Sequence, residues 1–385
     1  MHVLTFNSGS SSLKFGLYRV DDGRAEMLLD GVAEGSGATA TLRAGDRGRE
    51  WTGRDLSDAE RAHPLDGIAA LLDRAGLPAP DAVGHRIVHG GFEVRDDCRI
   101  DDEVLQRLER ARRFAPLHLP PALAAIRFAM ARYPDVSQVA CLDTAFHARM
   151  DEVARRLPLP RSYDEEGVHR YGFHGVSCAS IVRRLGDEVP ERLVIAHLGN
   201  GSSVTALRKG RSIDTTMGLT PAGGVPMGTR SGDLDPGVVI HLIREHGMDA
   251  DALEDLFDRH CGLAGVSGIG SDMRALRVAA ATNDDARLAI DLFCYAVRKQ
   301  VAAMAAALGG LDALVFSGGI GEHDARTRSD VCAGLVWMGV VLDGSRNALA
   351  PGIVSAEASK VVVRVVPSAE DEQIALEVVT VLVTG

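Results

Sequence analysis

This chain has no Cys-x-x-Cys pair, no Gly-x-x-x-x-Gly-Lys-[Ser/Thr] loop, no His-Glu-x-x-His and no apolar run long enough to cross a bilayer. Each absence removes a class of function. Cys98, Cys141, Cys178, Cys261, Cys294 and Cys332 are scattered singly, as reduced thiols of a cytoplasmic protein are, rather than as a disulfide framework or zinc site. Without a Walker loop, or a Gly-x-Gly-x-x-Gly opening a helix, P-loop and dinucleotide folds are disfavoured. Cations are in the minority: 42 Lys and Arg against 53 Asp and Glu leave a formal charge of −11. That balance argues against nucleic acid or an anionic membrane as the main partner. The most apolar tail, 374–383, falls short of the ~20 residues that a membrane span takes. An apolar strand starts directly at the N-terminus, so no signal peptide and a cytoplasmic location are expected.

Glycine is what the chain has in quantity, 42 residues gathered in loops. Two stretches about half the chain apart share one pattern of apolar strand, Gly-Ser turn and second strand. The first is Val-Leu-Thr-Phe-Asn-Ser-Gly-Ser-Ser-Ser-Leu-Lys over 3–14, the second Val-Ile-Ala-His-Leu-Gly-Asn-Gly-Ser-Ser-Val-Thr over 194–205. Such turns present backbone N–H groups and hydroxyls together, the donors a phosphate oxygen takes. Two of them predict two similar domains and a polyphosphate ligand, and 385 residues exceed one typical core. Further strands are expected at 25–33, 39–43, 81–88, 136–142, 193–197, 313–316 and 361–366. Helices are expected at 101–114, 122–133, 237–246, 252–261 and 284–308, and from 175 and 370 onward. This alternation indicates an α/β class with mixed sheets, the C-terminal helix packing back on the first domain.

Polar residues stand where apolar strands stop: Asn7, Asp143, Asn200 and Ser317, the usual place for ligand groups in open α/β sheets. Asp143 reads as a carboxylate for Mg²⁺ or as a helix N-cap. Glu370, in Ala-Glu-Asp-Glu, reads as a metal contact or as an acidic first turn favoured by the helix dipole. Arg86, on an apolar strand, and Arg230, in Gly-Thr-Arg-Ser-Gly-Asp, suit a carboxylate or phosphate, with a plain surface or ion-pair role as the alternative. His174 directly precedes a helix, and His118 is set between prolines. His85 and His89, with no third ligand nearby, are expected to pack or hydrogen-bond rather than hold a metal.

Taken in order, the motifs resemble the acetate kinase family, within the acetate and sugar kinase/heat-shock chaperone/actin superfamily. They are Asn-Ser-Gly-Ser-Ser-Ser-Leu-Lys (7–14), Gly-His-Arg-Ile-Val-His-Gly-Gly (84–91), Ala-Pro-Leu-His (115–118) and Asp-Thr-Ala-Phe-His (143–147). Tyr-Gly-Phe-His-Gly (171–175), His-Leu-Gly-Asn-Gly-Ser-Ser (197–203), Met-Gly-Thr-Arg-Ser-Gly-Asp-Leu-Asp-Pro (227–236) and Ser-Gly-Gly-Ile-Gly-Glu (317–322) follow. The resemblance implies two duplicated ribonuclease-H-like (actin-like ATPase) domains with mixed β-sheets and an interdomain cleft. They would span 1–146 plus 371–385, and 147–370, the latter with the nucleotide site. It implies acetate kinase activity, the reversible Mg-ATP-dependent phosphorylation of acetate to acetyl phosphate by direct in-line transfer. Catalytic roles carry over to Arg86, His118, Asp143, His174 and Arg230, and a small acyl pocket to Val88, Leu117, Phe173 and Pro221. Asn7, Ser10, Ser12 and Lys14 match the family's phosphate-side loop, with Asn7 and Glu370 on the metal side. Nucleotide contacts map to Lys14, His197, Gly199, Asn200, Gly201, Asp272, Met273, Arg274, Gly319, Ile320, Gly321 and His323. Magnesium is the implied metal, with manganese as an alternative, and a homodimer is the implied assembly.

Four positions depart from the family pattern: Met273 where an aromatic is common, His323 where Asn is usual, Ala222-Gly223 for a Leu-Glu pair, and Ala369 for Asn. None removes a catalytic group. The chemistry fits the residues, because a carboxylate nucleophile is already ionised at pH 7 and needs no general base, unlike a sugar hydroxyl. Two anions must meet, so cations and donors dominate the motifs, and domain closure would exclude water. A propionate or butyrate kinase is the nearest rival, since one CH₂ discriminates only ~10- to 200-fold. A non-enzymatic ATP-binding regulator is the other, and the two arginines argue against it.

Overall fold

The structure, a computed structural model, describes residues 1–9, 12–34, 41–46, 49–52 and 64–384. Ser10, the turn expected at 35–37 and the start of the strand expected at 39–43 lie outside the described residues. The chain divides into two compact units. The first comprises Met1–Ala148, Gly175–Ser180 and Ala369–Gly385, the second Arg149–His174 and Ile181–Ser368.

The first unit is built on an eight-stranded sheet: β1 (His2–Ser8), β2 (Ser12–Asp21), β3 (Arg24–Glu34), β4 (Thr41–Asp46), β5 (Arg49–Thr52), β6 (Ala82–Ile87), β7 (Cys98–Arg99) and β8 (Ser137–Leu142). Their order is β5-β4-β3-β2-β1-β6-β8-β7. β1 to β3 form an antiparallel meander, while β6 and β8 join β1 in parallel. Successive side chains of a strand point to opposite faces, and β1 uses both. Leu4 and Phe6 pack with Ile68 and Leu71 of helix Pro64–Ala75 and Ala125 and Ala129 of helix Leu119–Arg132. Val3 packs with Ile374 and Val378 of helix Glu370–Thr384. That last helix lies close on β6 because Gly84 has no side chain: a Cβ there would sit 2.6 Å from Val378 Cγ2 and 2.7 Å from Ile374 Cγ2.

The second unit repeats the plan with β9 (Arg192–Leu198), β10 (Ser202–Arg208), β11 (Arg211–Thr215), β12 (Ala313–Ser317), β13 (Gly352–Ile353) and β14 (Val362–Val365), in the order β11-β10-β9-β12-β14-β13. Again three antiparallel strands are followed by two parallel ones, so β9 answers β1, and the Gly199–Gly201 turn answers the turn after Ser8. This is the duplicated mixed-sheet plan expected of actin-like domains. Helix Asp284–Leu308 fills the core, burying Ala286, Ile290, Phe293, Val297, Val301, Met304 and Leu308 at three- and four-residue spacings, one face of a helix.

Among the boundaries that differ from expectation, the helix over 101–114 ends at Arg110 and runs on as the 3₁₀ turn Ala111–Phe114. Helix Leu119–Arg132 starts before Pro120-Pro121 rather than after them, because first-turn positions need no intrahelical N–H partner. The helix expected over 252–261 is two, Ala250–Arg259 and Gly262–Ser267, broken at Gly262 with its φ of +62°.

Candidate active site

In the first unit, three neighbouring parallel strands deliver polar groups at their C-terminal ends. Asn7 lies at the end of β1, Arg86 on β6 and Asp143 directly after β8. Asp143 is 1% exposed. Its Oδ1 accepts Arg86 Nε–H at 3.0 Å and its Oδ2 accepts Arg86 Nη2–H at 2.6 Å. Arg86 Nη1 donates to Asn7 Oδ1 at 2.9 Å, and Asn7 Nδ2 donates to Glu370 Oε2 at 3.1 Å and Asp371 Oδ1 at 2.9 Å. Burial pulls the Arg86 guanidinium toward neutrality, but Asp143, Glu370 and Asp371 together outweigh it and hold its pKa above the usual value. Asp371 shifts upward, chiefly through burial. Lys14, paired with Asn7 across the β1–β2 hairpin and exposed, lends it some opposing charge.

Asp143 is therefore not a helix cap: Thr144 takes that position before the short turn Ala145–His147. Its backbone is held from two sides, by Asp143 N–H on Ile87 O and by Gly175 N–H on Asp143 O, both at 2.9 Å. Val88 and Leu117 also belong to this unit, the former buried, and His118 is the N-cap residue of helix Leu119–Arg132. His85 meets Gln138 at 2.9 Å and His89 Nδ1 accepts Gly91 N–H at 2.9 Å.

In the second unit the Gly199–Gly201 turn is the centre. A Cβ on Gly201 would lie 3.1 Å from His174 Nε2 and 3.4 Å from Arg230 Nη1, so both side chains aim at this turn and a larger residue there would press on them. His174 adopts a left-handed backbone, φ 58°. Its Nδ1 lies 3.0 Å from Ser203 Oγ, and its ring is 4.4 Å from that of His197. Arg230 Nη1 donates to Pro221 O at 3.3 Å. The Arg230 loop is fastened by helix Gly262–Ser267: the N–H groups of Cys261, Leu263 and Ala264 donate to Thr229 O, Met227 O and Gly228 O. The turn also lies against the start of helix Gly318–His323, where a Cβ on Gly199 would be 3.7 Å from Gly319 N. Gly319 itself faces open space, Gly321 is buried, and His323 is exposed at the helix end. Asn200 O accepts Gly228 N–H at 3.0 Å. Phe173 and Pro221 are buried.

The expected adenosine-side residues separate. Asp272 caps helix Met273–Ala279 through Arg274 N–H at 2.9 Å, and Arg274, 91% exposed, returns to Asp272 Oδ2 at 2.8 Å. Met273 points inward. Its side chain is 4% exposed and belongs to the hydrophobic core with Leu276, because the first residue after the cap turns inward with the residue three further on. Ile320 likewise packs against that core.

A model of the acetokinase family matches residues 2–376. The chain belongs to the acetokinase family. An acetate kinase of Nitrobacter hamburgensis is 40% identical over 395 residues, covering 99% of this chain and 96% of the relative, and one of Rhodopseudomonas palustris is 42% identical over 391 residues, covering 98% and 97%. Among solved structures, Porphyromonas gingivalis acetate kinase superposes with a TM-score of 0.87 at 36% identity, covering 99% of both chains. A propionate kinase of Francisella tularensis gives 0.90 at 31% identity, covering 98% of this chain and 99% of its own. As an acetokinase the chain is a phosphotransferase with acetate kinase activity, which implies ATP as a substrate and a divalent metal. No helix among the described residues is long and apolar enough to cross a membrane.

Sequence reasoning missed two residues in these acetokinase clusters. Asp371 shares Asn7 with Glu370, but an acidic first turn looks the same whether it faces a ligand or only a helix dipole. Ser203 holds His174, and its signal was present in the second Gly-Ser turn.

Proposed function

We propose that this acetokinase catalyses ATP + acetate ⇌ ADP + acetyl phosphate by direct in-line transfer, with Mg²⁺ as the metal and Mn²⁺ as a substitute. The pairing of Arg86 with both oxygens of Asp143 carries this reading. A hydroxyl acceptor needs a base, whereas here the buried carboxylate is engaged by a guanidinium. An acceptor that arrives ionised needs none, and carboxylic acids ionise far below pH 7. Arg86 has five N–H donors, and three are engaged among the described residues, which leaves two for the substrate carboxylate.

His174 and Arg230 donate to the equatorial oxygens of the phosphoryl group in flight, in the manner of an oxyanion site, and His118 assists them. Lys14, His197, Gly199, Asn200 and Gly201 attend the nucleotide phosphates. Asp272, Arg274, Gly319, Ile320, Gly321 and His323 attend the adenosine, with Met273 contributing through its place at the start of its helix. Val88, Leu117, Phe173 and Pro221 give the acyl group apolar surroundings.

The donor set fits a hard cation: Asp143, Glu370 and Asp371 gather around one guanidinium. Among the described residues no three acidic, His or Cys side chains form a ready cage. Mg²⁺ takes one or two carboxylates and completes its shell with phosphates and water. When bound it neutralises charge on the nucleotide phosphates. Glu370 holds it, and Asn7, whose amide donates to Glu370, orients that carboxylate and offers the second lone pair of its oxygen.

A cytoplasmic homodimer is the proposed form. Exposed Leu288, Leu292 and Tyr295 line one face of helix Asp284–Leu308, and exposed Val238, Ile240 and Ile243 lie on helix Pro236–His246, apolar surface of the kind that marks association. Sedimentation of the purified chain tests this. A second reading, preference for propionate, is favoured by the likeness to the propionate kinase. A hydroxamate assay with ATP, Mg²⁺ and acetate, propionate or butyrate decides: acetate should give the highest kcat/KM, and no product from any of the three would remove the enzymatic reading.

A further inference from the structure

Beyond the end of β6 the first unit holds a cavity of about 320 Å³ that none of the roles above uses. Gly90, Gly91 and Ala111 form its floor, Phe92 and Phe114 its apolar walls, and Arg107, Arg110, Arg113 and Glu93 the remainder. The arginines are spaced three apart. Helix Asp102–Arg110 passes into the 3₁₀ turn Ala111–Phe114, whose three-residue period keeps Arg113 on the side of Arg107 and Arg110. Glycine is required in the floor: Gly91 has a φ of +68°, and a Cβ there would lie 3.1 Å from Ala111 Cβ. The wall is braced by His89, whose Nδ1 accepts Gly91 N–H at 2.9 Å and whose ring stacks on Phe114 with centroids 5.0 Å apart.

The charges do not cancel inside the cavity. Arg110 holds Glu93 by two bonds, 2.8 and 2.7 Å, and Arg107 pairs with Glu103 at 2.5 Å. Arg113 has no ion-pair partner among the described residues and lies instead over two rings, its Cζ 4.9 Å from the Phe114 centroid and 5.8 Å from that of Phe92. Three guanidinium groups thus share one carboxylate within the cavity, on a chain whose formal charge is −11. Phe92 is 44% exposed, a large aromatic face left open beside a cation. Aromatic faces and a guanidinium plane accept a flat ring, and guanidinium N–H edges accept its acid group. The volume falls at the small end of ligand pockets, ~300–1,000 Å³.

We propose that this cavity binds a small planar organic anion, a single aromatic or heteroaromatic ring carrying a phosphate or carboxylate, at a site distinct from the Arg86 cluster. Phenyl phosphate titrated calorimetrically into the full chain, with inorganic phosphate as comparison, tests it. Phenyl phosphate should bind about tenfold more tightly than inorganic phosphate, and Arg113→Glu should weaken it about tenfold. Phe92→Ala should weaken it about fivefold through the lost ring contact. Both variants should keep the kcat of the parent, and saturating acetyl phosphate should not displace the probe. No binding to the parent chain, equal binding of the two probes, binding that persists in Arg113→Glu, or displacement by acetyl phosphate overturns the proposal.

Discussion

Arg86 and Asp143, 57 residues apart in sequence, meet through two parallel hydrogen bonds of 3.0 and 2.6 Å. The fork-on-fork geometry fixes the plane of the guanidinium and leaves its other edge to Asn7 and an incoming anion. Arg86→Ala and Arg230→Ala are each expected to lower kcat by about 10²–10³, as the loss of a preorganised donor does. Arg86→Lys should not restore activity, because an ammonium lacks the fork. Near-parental turnover in both alanine variants, measured by hydroxamate formation, would sink the assignment.

Gly201→Ala tests the second cluster. Its methyl would sit 3.1 Å from His174 Nε2 and 3.4 Å from Arg230 Nη1, so those two side chains must give way. Activity should fall by about tenfold or more, while the thermal midpoint barely moves, since no core atom is displaced. Unchanged kinetics would mean that the two donors do not converge there during turnover.

Glu370→Gln keeps an acceptor for Asn7 but removes a charge. The Mg²⁺ concentration needed for half-maximal rate should rise about tenfold, with a smaller change in the acetate KM. An acetate effect without a metal effect would assign Glu370 to the acyl side.

Asp97 makes stability depend on pH. Its Oδ1 accepts Leu142 N–H at 2.7 Å, and burial, joined by Glu377, Asp96 and Asp143, pushes its carboxyl up to about 7. A carboxyl raised on folding stabilises fully below its unfolded value, and this contribution is lost as pH rises through about 7. Asp97→Asn keeps the acceptor and removes the titration. Its stability advantage over the parent should therefore grow between pH 5 and 8, to on the order of 2 kcal/mol. Melting curves that stay parallel across that range would contradict this.

His85 acts in the opposite direction. Burial lowers its pKa to about 4 against the raising effect of Gln138, so it is neutral in the folded chain at pH 7. The stability this provides is present above about 6.5 and lost as pH falls through about 4. His85→Asn should flatten the acid side of the thermal profile, and an acid limb as steep as the parent's would exclude the assignment.

Local pattern made much of this chain legible. The two Gly-Ser turns announced the duplicated hairpins because strand period and turn chemistry are short-range properties, and β1–β2 and β9–β10 form where the residues ask for them. Helix Asp284–Leu308 forms over the residues expected for it. Arg86, Asp143, His174 and Arg230 stood out because buried-looking charge and strand-end polarity are unusual in any context. Elements such as β7 and β13, each two residues long, were not legible, since two residues carry no period.

The sequence by itself determined many of the segments that fold as strands and helices, and which residue types stand ready for phosphate, metal and carboxylate. Tertiary structure alone decided which of them meet. Asn7 reaches Glu370 across 363 residues only because the last helix docks on the side-chain-free Gly84 of β6. Packing within the second unit turns Met273 into core, and packing within the first leaves Phe92 and Arg113 at an open cavity. Neither outcome is local, because burial and charge balance are set by neighbours that the chain brings from far away.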